Sequence, residues 1–240
     1  ILSGLVGSEM CIRDRPMLPV AIKLSKKNNA VLIYDSHELY SEQEFSKKEK
    51  KYWAEIEKIS IASCDIIITV NQSIANELSK RYNLKDVKVI QNCEPIRHKT
   101  KPYFKFHDKF KFSSETKILL MQGSLSDGRN LINLALSMKY VIDQSVVLIF
   151  LGSGSLFNDL KKVVQVNNLE NKVYFHEHVS QNELHEYTMS AHAGIIPYQP
   201  ICLNNYYCTP NKLFEYISAG IPIISTCLLY TSDAADDTPC

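Results

Sequence analysis

The feature that most constrains this chain is an alternation of short apolar runs with amphipathic segments. Each run is rich in β-branched residues and is bounded by turn-forming residues, as is typical of buried parallel strands. The repeated order of strand, helix and strand predicts an α/β fold with doubly wound parallel sheets. The runs are AVLIY (30–34), DIIITV (65–70), VKVIQ (87–91), KILLM (117–121), VVLIFL (146–151), KVYFH (172–176), AGIIP (193–197) and IPIIST (221–226).

Helix start signals lie between the runs. Asn71 or Ser73 precedes or opens the segment SIANELSKRY, and either side chain can cap free backbone N–H groups. Ser180 and Glu183 have the spacing of a capping box before ELHEYTMSA. These signals predict helices after the second and the sixth apolar runs.

The alternation is interrupted once, between residues 92 and 116. This segment contains two prolines, together with lysines interleaved with aromatic residues, and it has no helical or strand period. We therefore predict a Rossmann-like lobe at 16–95, a linker at 96–116 and a second Rossmann-like lobe at 117–226, with a cleft between the lobes. A solvated linker is favoured over a surface for lipid headgroups or RNA.

The two ends of the chain do not continue the pattern. The segments EMCIRDR (9–15) and CLLYTS (227–232) can be encoded by complementary DNA strands, and both ends resemble translated adapters used in sequencing libraries. We expect residues 1–15 and 227–240 to be artefacts that flank a native segment truncated at both ends. Charged residues within 1–15 disfavour a signal peptide. We expect this 240-residue piece to be poorly soluble and inactive.

Composition excludes some classes of function. The net charge is +1 and rises to about +4 without the two ends, which is too weak by itself to indicate nucleic acid binding. The seven cysteines include no CxxC pair and no Cys/His metal spacing, so a reducing cytoplasm is the default. The longest apolar run is VVLIFL, which is much shorter than the roughly 18 residues of a membrane span.

The first candidate residues follow the first apolar run. Asp35, His37 and Glu38 stand where a strand would end, so their side chains are not hidden by the sheet. His37 could act as a general acid or base, or donate a hydrogen bond to a phosphate or a sugar hydroxyl. A purely structural histidine that anchors the turn is the alternative.

A second group lies in QGSLSDGRNL, between a predicted strand and a predicted helix. Gly123 and Gly128 allow close approach of the backbone to a ligand, and Arg129 offers donors suited to oxyanions. This combination indicates a phosphate site, with a plain turn as the alternative. The later turn GSGS (152–155) places backbone N–H groups near the same edge, but it lacks the third glycine of a dinucleotide fingerprint.

A third group opens the stretch TPNKLFEY. Pro210 favours a helix start, so the N–H groups of Asn211, Lys212 and Leu213 can face an anion. Glu215 follows within the first turns, where its carboxylate can accept a pair of hydroxyls such as those of ribose. A glutamate that serves the helix dipole is the alternative.

Six motifs, taken in order, resemble family 4 glycosyltransferases, and the match covers nearly all of residues 16–226. The motifs are YDSHE, CDIIITVNQS, VIQNCEP, QGSLSDGRNL, FLGSG and PNKLFEYISAGIPII. The resemblance implies the GT-B fold, with a second lobe that binds a nucleotide-diphosphate sugar through groups that include Gly123 and Ser124.

The resemblance also implies roles for single residues. Arg129 stands where the family has a lysine that meets the diphosphate, and Glu215 is the second glutamate of the family's E-x7-E motif, which faces ribose. His37 matches a histidine near the reacting sugar. Two positions depart from the pattern, because Tyr207 replaces the first glutamate and Ser124 replaces an arginine often found after the loop glycine. The identity of the sugar is therefore open.

The implied activity is retaining transfer of a sugar to a saccharide or lipid-linked acceptor, in surface polysaccharide or glycan synthesis. We expect a cytoplasmic protein with peripheral membrane contact as a further option, no metal ion or other cofactor, and no nucleic acid partner. Two alternatives stay open. One is a nucleotide-sugar epimerase of the same fold, which needs no acceptor, and the other is a noncatalytic lobe that binds nucleotide sugars.

Overall fold

The computed structural model describes residues 9–12, 15–95 and 103–226. Contacts divide the chain into two units. The first unit consists of Ile1–Asn92 and Pro200–Thr209, and the second consists of Cys93–Gln199 and Pro210–Cys240. Each unit is an α/β layer structure built on a parallel sheet, as predicted.

The first unit has a parallel sheet with the strand order β1-β2-β3-β4. In chain order its elements are β1 (Glu9–Ile12), α1 (Leu18–Asn28), β2 (Val31–Ser36), α2 (Lys47–Ile61), β3 (Ile66–Thr69), α3 (Gln72–Tyr82) and β4 (Lys88–Val89). Tyr34 of β2 pairs with Ile67 of β3, and both side chains are buried against α1 and α2. Each of the four strands is therefore joined to its neighbour by a crossover helix, as in one half of a Rossmann-like sheet.

The second unit has a parallel sheet with the strand order β7-β6-β5-β8-β9. In chain order the next elements are α4 (Lys105–Phe110), β5 (Lys117–Gln122), α5 (Leu131–Ser137), β6 (Val146–Leu151), α6 (Phe157–Val166), β7 (Val173–His176), α7 (Gln181–Thr188), β8 (Ala193–Ile196), α8 (Leu203–Tyr207), α9 (Asn211–Ala219) and β9 (Ile223–Ser225). Of these, α8 belongs to the first unit. The order changes direction at β5, which lies between β6 and β8.

The core of the second unit lies between its sheet and helices α5 and α6. Leu148 and Phe150 of β6 are fully buried, and they pack with Leu131 of α5 and Leu160 of α6. Strands covered on both faces need continuous apolar sequence, which explains the unbroken run VVLIFL. The packed core fixes the carboxyl ends of β5, β6 and β8, where the candidate ligand-binding loops begin.

Of the two predicted helix starts, the one at Asn71 is confirmed and the one at Ser180 is confirmed only in part. Asn71 caps α3, because its side-chain oxygen accepts a hydrogen bond from the N–H of Ile74 at 2.9 Å. The capping box predicted at Ser180 and Glu183 lacks one of its two hydrogen bonds, the one that the Ser180 side chain would accept. The Ser180 hydroxyl donates to the Glu183 carboxylate at 2.6 Å and makes no side-chain cap bond to the N–H groups of α7.

The interpretation of residues 96–116 as a solvated linker is wrong for the part that the structure describes, 103–116. This part contains α4, and Phe106 is fully buried in it. The Phe106 ring lies 5.3 Å from the ring of Tyr187 and 5.9 Å from that of His176. Aromatic burial therefore attaches α4 to the second unit. Residues 96–102 lie outside the described residues.

Two further boundaries differ from the sequence prediction. The exclusion of residues 1–15 from the fold is wrong for Glu9–Ile12, because this segment pairs with β2 in parallel register. The origin of residues 1–15 and 227–240 stays a prediction, and residues 227–240 lie outside the described part. The sequence predicts that residues 200–209 belong to the second lobe, but Leu203 and Tyr207 pack against an apolar cluster of the first unit.

Candidate functional site

Two loops at the carboxyl ends of β5 and β6 pack directly on each other in the second unit. A Cβ atom on Gly152 would lie 2.0 Å from the carbonyl oxygen of Gly123, and a Cβ atom on Gly154 would lie 2.3 Å from that of Leu125. Such distances exclude any side chain at either glycine. The glycines of GSGS therefore allow two backbones to touch, which is a different role from the predicted one near a ligand.

The backbone donors of these loops are used within the protein. The N–H of Gly123 donates to the carbonyl of Leu151 at 2.9 Å, and the N–H of Gly152 donates to that of His176 at 3.0 Å. These two N–H groups extend the strand pairing of the sheet, so they are not among the backbone donors expected near a ligand at these loops. Gly123 and Ser124 are nevertheless exposed, so the loop surface remains open to a ligand.

Beside this loop, Arg129 and Lys212 form a basic cluster around the hydroxyl of Tyr198, and the three residues come from three separate segments of the chain. The guanidinium Nη1 of Arg129 donates to the hydroxyl of Tyr198 at 2.6 Å, and the Nζ of Lys212 donates to the same hydroxyl at 3.2 Å. Lys212 is only 5 % exposed. A Cβ atom on Gly123 would lie 3.7 Å from that ammonium nitrogen, so the open side of this glycine faces Lys212.

Helix α9 begins at Asn211, with Pro210 as its N-cap. The N–H of Leu213 donates to the carbonyl of Pro210 at 2.9 Å, so the expectation that this N–H would face an anion is wrong. The first turn nevertheless adds the positive end of a helix dipole beside the basic cluster. Gly220 ends the helix with φ 67°, as predicted.

Glu215 lies on the first half of α9 and is held by a chain of hydrogen bonds. The hydroxyl of Thr188 donates to the side-chain oxygen of Gln122 at 2.9 Å, and the Nε2 of Gln122 donates to the Glu215 carboxylate at 2.5 Å. The Thr188 hydroxyl also lies 2.8 Å from the carbonyl oxygen of Leu184, and its single proton serves one of the two acceptors at a time. The Glu215 carboxylate accepts, so the nitrogen of the Gln122 amide faces it and the amide oxygen faces Thr188. The carboxylate is thereby oriented before any ligand binds.

The surroundings of Glu215 oppose its ionisation. Burial is the largest effect and raises the pKa of Glu215, and the negative charge of Glu94 raises this pKa further. The hydrogen bond from Gln122 and the positive charge of Lys212 act in the opposite direction and lower the pKa. Glu215 also lines a small pocket within the second unit. The other residues of this pocket are Glu94, Gln181, Leu184, His185 and Thr188. A partly desolvated carboxylate in a pocket has a strong tendency to accept hydrogen bonds from a ligand's hydroxyls.

The candidate residues of the first unit lie after β2. The Nε2 of His37 and the Oδ2 of Asp35 are 2.9 Å apart, and both side chains are partly exposed. Glu38 is a turn anchor, because its carboxylate accepts hydrogen bonds from Gln43 and Asn204. His37 is thus oriented by a carboxylate while remaining accessible, which suits a residue that positions a polar ligand.

Sequence analysis missed several residues of the site in the second unit. Gln122 is a polar residue at the end of an apolar strand, and Tyr198 stands two residues after β8. Both positions lie at or just beyond the carboxyl end of a strand, at the edge of the sheet where ligands bind in such folds, so their placement was a usable signal. The side chain of Lys212 had no such signal, because the prediction used only its backbone N–H.

Within residues 9–12, 15–95 and 103–226, no group of three or more His, Cys, Asp or Glu side chains could hold a metal ion. None of the helices in the same ranges combines the length and the apolar character needed to cross a bilayer.

Comparison with protein-family models assigns the sequence to a family. The model for glycosyl transferases group 1 matches residues 116–237, just over half of the chain. A comparison with curated protein sequences finds no match.

Solved structures match the fold at low sequence identity. A TarM mutant of S. aureus, in complex with Fondaparinux, alpha-GlcNAc-glycerol and UDP, has a TM-score of 0.72 at 16% identity, covering 95% of this chain and 43% of that one. HepE of Anabaena in complex with UDP-glucose has a TM-score of 0.71 at 17% identity, covering 91% and 59%. WaaG, a glycosyltransferase involved in lipopolysaccharide biosynthesis, has a TM-score of 0.67 at 14% identity, covering 88% and 65%.

The chain thus spans about half the length of the first two of these structures. Their likeness identifies the fold as that of GT-B glycosyltransferases, with the parallel sheets described above. Together with the family match over residues 116–237, this shows that the chain belongs to the glycosyl transferases group 1 family.

Proposed function

We propose that this protein transfers a sugar from a nucleoside diphosphate sugar to a saccharide or lipid-linked acceptor, with retention of configuration. The observation that carries the proposal is the grouping of Arg129, Lys212 and Glu215 at one edge of the second unit's sheet. Two cations suit a diphosphate, and a desolvated carboxylate suits the hydroxyls of ribose. The UDP in the TarM structure and the UDP-glucose in the HepE structure support this assignment.

The reaction requires stabilisation of negative charge on the leaving diphosphate. In the proposed mechanism the guanidinium of Arg129 and the ammonium of Lys212 bind the diphosphate oxygens, and the interaction strengthens as the bond to the sugar breaks. The amino end of α9 adds to the same field. These groups supply the positive charge from the protein itself, so we propose that the reaction uses no metal ion or other cofactor.

Recognition of the nucleoside falls to Glu215. Its carboxylate, oriented by Gln122, accepts hydrogen bonds from the two ribose hydroxyls in our proposal. A carboxylate offers two oxygens with several lone pairs, so it can keep the bond to Gln122 while it binds a diol. The small pocket that Glu215 shares with His185 and Thr188 is the proposed contact point for the ribose hydroxyls.

His37 has a proposed role in positioning the transferred sugar or the acceptor. Its bond to Asp35 fixes the ring, and its partial exposure leaves the other face accessible. In a retaining transfer without an enzyme nucleophile, the acceptor attacks from the face of the leaving group, and a fixed imidazole can hold the reacting groups there. We place the reaction in surface polysaccharide or glycan synthesis in the cytoplasm, with peripheral membrane contact for a lipid-linked acceptor.

Calorimetric titration of the full-length protein with UDP, GDP and ADP tests the binding site. We expect one of the three to bind, and the substitution Lys212→Gln to weaken that binding by about tenfold, because a buried cation no longer meets the diphosphate. Lys139→Gln, at an exposed position of the same unit, is the control and should bind like the wild type. If none of the nucleotides binds, the proposal fails.

Turnover separates the proposal from its alternatives and is measured in the full-length protein. A transferase releases the nucleoside diphosphate and forms a new glycoside only when an acceptor is present. An epimerase would convert the sugar without an acceptor and without releasing the nucleotide. Binding without either product would identify a noncatalytic lobe and would overturn the proposed transfer.

A further inference from the structure

Tyr198 connects two cationic side chains that come from different parts of the second unit. Arg129 follows β5, Lys212 lies in the first turn of α9, and Tyr198 follows β8. Tyr198 is 8 % exposed, and its hydroxyl accepts hydrogen bonds from Arg129 at 2.6 Å and from Lys212 at 3.2 Å. Because the Arg129 Nη1 and the Lys212 Nζ are both hydrogen-bonded to the Tyr198 hydroxyl oxygen, the guanidinium and the ammonium groups lie close together.

The aromatic ring of Tyr198 makes this arrangement electrostatically tolerable. The Arg129 Cζ lies 5.2 Å from the ring centroid and the Lys212 Nζ lies 4.9 Å from it. The negative face of an aromatic ring attracts cations at such distances, and phenol oxygen lone pairs accept from both donors. Two like charges that would repel each other are thereby held together in a partly desolvated place.

We propose that Tyr198 is a positioning residue that brackets Arg129 and Lys212 so that both meet one diphosphate; this rests on the function proposed above. Long basic side chains lose rotamer entropy when a ligand immobilises them. A hydroxyl that already holds both side chains removes part of that cost before the ligand arrives, which increases affinity. Tyr198 itself need not touch the reacting atoms.

The backbone around Tyr198 is fixed independently of its hydroxyl. The side chain of Thr226 donates a hydrogen bond to the carbonyl oxygen of Tyr198. Removal of the phenol oxygen alone therefore leaves the loop after β8 anchored. Tyr198→Phe keeps the ring and its contact with both cations, and it deletes only the shared acceptor.

Phosphorus NMR titration with inorganic pyrophosphate measures the effect without any contribution from base or ribose. We expect Tyr198→Phe to raise the Kd for pyrophosphate about three- to tenfold. Tyr140→Phe, at a side chain that is 83 % exposed, should bind like the wild type. In an Arg129→Gln, Lys212→Gln background the same Tyr198→Phe change should have less than about a twofold effect, because nothing remains to be positioned.

The outcomes distinguish this inference from the proposed function. If the wild type binds no pyrophosphate, the diphosphate site fails and the inference fails with it. If the wild type binds and Arg129→Gln weakens binding, while Tyr198→Phe binds like the wild type, only the inference is overturned. An equal loss from Tyr198→Phe in both backgrounds indicates a general structural role and also overturns it.

A second measurement leaves Tyr198 in place and covers the case in which Tyr198→Phe does not fold. Arg129→Gln, Lys212→Gln and the double variant form a cycle in pyrophosphate affinity. Two cations held by one hydroxyl should be coupled by at least about threefold, because loss of one changes the position of the other. Additive losses would show that each cation is positioned independently, against the proposal.

Discussion

The side-chain amide of Gln122 donates a hydrogen bond to the carboxylate of Glu215 at 2.5 Å. The two residues are 93 positions apart, on the last residue of β5 and the middle of α9. Thr188 orients the amide from the other side. This relationship means that the carboxylate proposed to bind ribose is positioned by the sheet and not by a flexible loop.

Replacement of the carboxylate tests its proposed role. We expect Glu215→Gln to weaken binding of the nucleoside diphosphate by about 1 to 3 kcal/mol, because an amide offers one acceptor oxygen where the carboxylate offers two charged ones. Calorimetry gives the binding constant, and kcat should change much less. Glu170→Gln, at an exposed position of the same unit, is the control. Wild-type affinity in Glu215→Gln would show that ribose is bound elsewhere.

The raised pKa of Glu215 predicts two opposite dependences on pH. Below the pKa of the unfolded state the group is protonated in both states, and folding carries no penalty. As pH rises through the raised folded pKa, the buried group must ionise, so this contribution to the free energy of unfolding is lost. Nucleotide affinity should change in the other direction, since the ionised carboxylate binds hydroxyls better.

Both trends are measured as differences between the wild type and Glu215→Gln, so that titration of the nucleotide phosphates cancels. Denaturant unfolding should show the wild type losing stability relative to the variant as pH rises above about 4.5. Calorimetry should show the affinity advantage of the wild type shrinking as pH falls through the same window. Parallel pH profiles for the two proteins would contradict the assignment.

The strands were predictable because their burial imposes a continuous apolar sequence. Each predicted run contains a strand, although VKVIQ yields only the two residues of β4, where Lys88 is exposed. Helix α4 was missed because its lysines suggested solvation. Phe106 and Phe110 are four residues apart and both contact aromatic rings of the second unit, so a helical period was present.

The contacts that build the candidate site were harder to predict from the sequence than the strands. The local residue pattern and the resemblance both indicated Arg129 and Glu215, but Tyr198 and Gln122 act through partners on other elements. Such contacts depend on the strand order of the sheet, which local periodicity does not encode. The structure likewise explains the departure at Tyr207, which packs against the apolar cluster of Leu39, Val70, Ile74 and Leu78 in the first unit.

A buried carboxylate in the first unit gives a prediction about stability. Glu57 is 1 % exposed and accepts hydrogen bonds from the hydroxyls of Tyr34, at 3.0 Å, and Tyr82, at 2.5 Å. Tyr34→Phe removes one donor from this carboxylate, so we expect the free energy of unfolding to fall by about 1.5 to 3 kcal/mol. Tyr52→Phe, at a side chain that is 58 % exposed, is the matched control and should change it little. Equal stability of Tyr34→Phe and the control in urea unfolding would contradict this expectation.

The role of His37 is tested by turnover in the full-length protein. We expect His37→Ala to lower kcat by about a hundredfold while nucleotide affinity is retained, because the imidazole is proposed to position reacting groups and not the diphosphate. His178→Ala, at an exposed position of the second unit, should leave kcat unchanged. A His37→Ala variant with normal turnover would assign His37 and its bond to Asp35 to anchoring of the turn.

Arg129 should affect a different kinetic parameter from Glu215, because their proposed interactions belong to different stages of the reaction. The charge on the leaving diphosphate grows as the bond to the sugar breaks, so Arg129→Ala should mainly lower kcat, by on the order of 3 kcal/mol in activation free energy. Arg129→Lys keeps the charge and supplies the residue that the family resemblance implies at this position, so it should recover most of the lost turnover. Steady-state kinetics in the full-length protein, together with calorimetric titration of the intact nucleotide sugar in the absence of acceptor, separates the two effects. If Arg129→Ala weakens binding of the intact nucleotide sugar as much as it lowers kcat/KM, Arg129 contributes equally to the bound substrate and the transition state. Its proposed role in stabilising the leaving group would then be wrong.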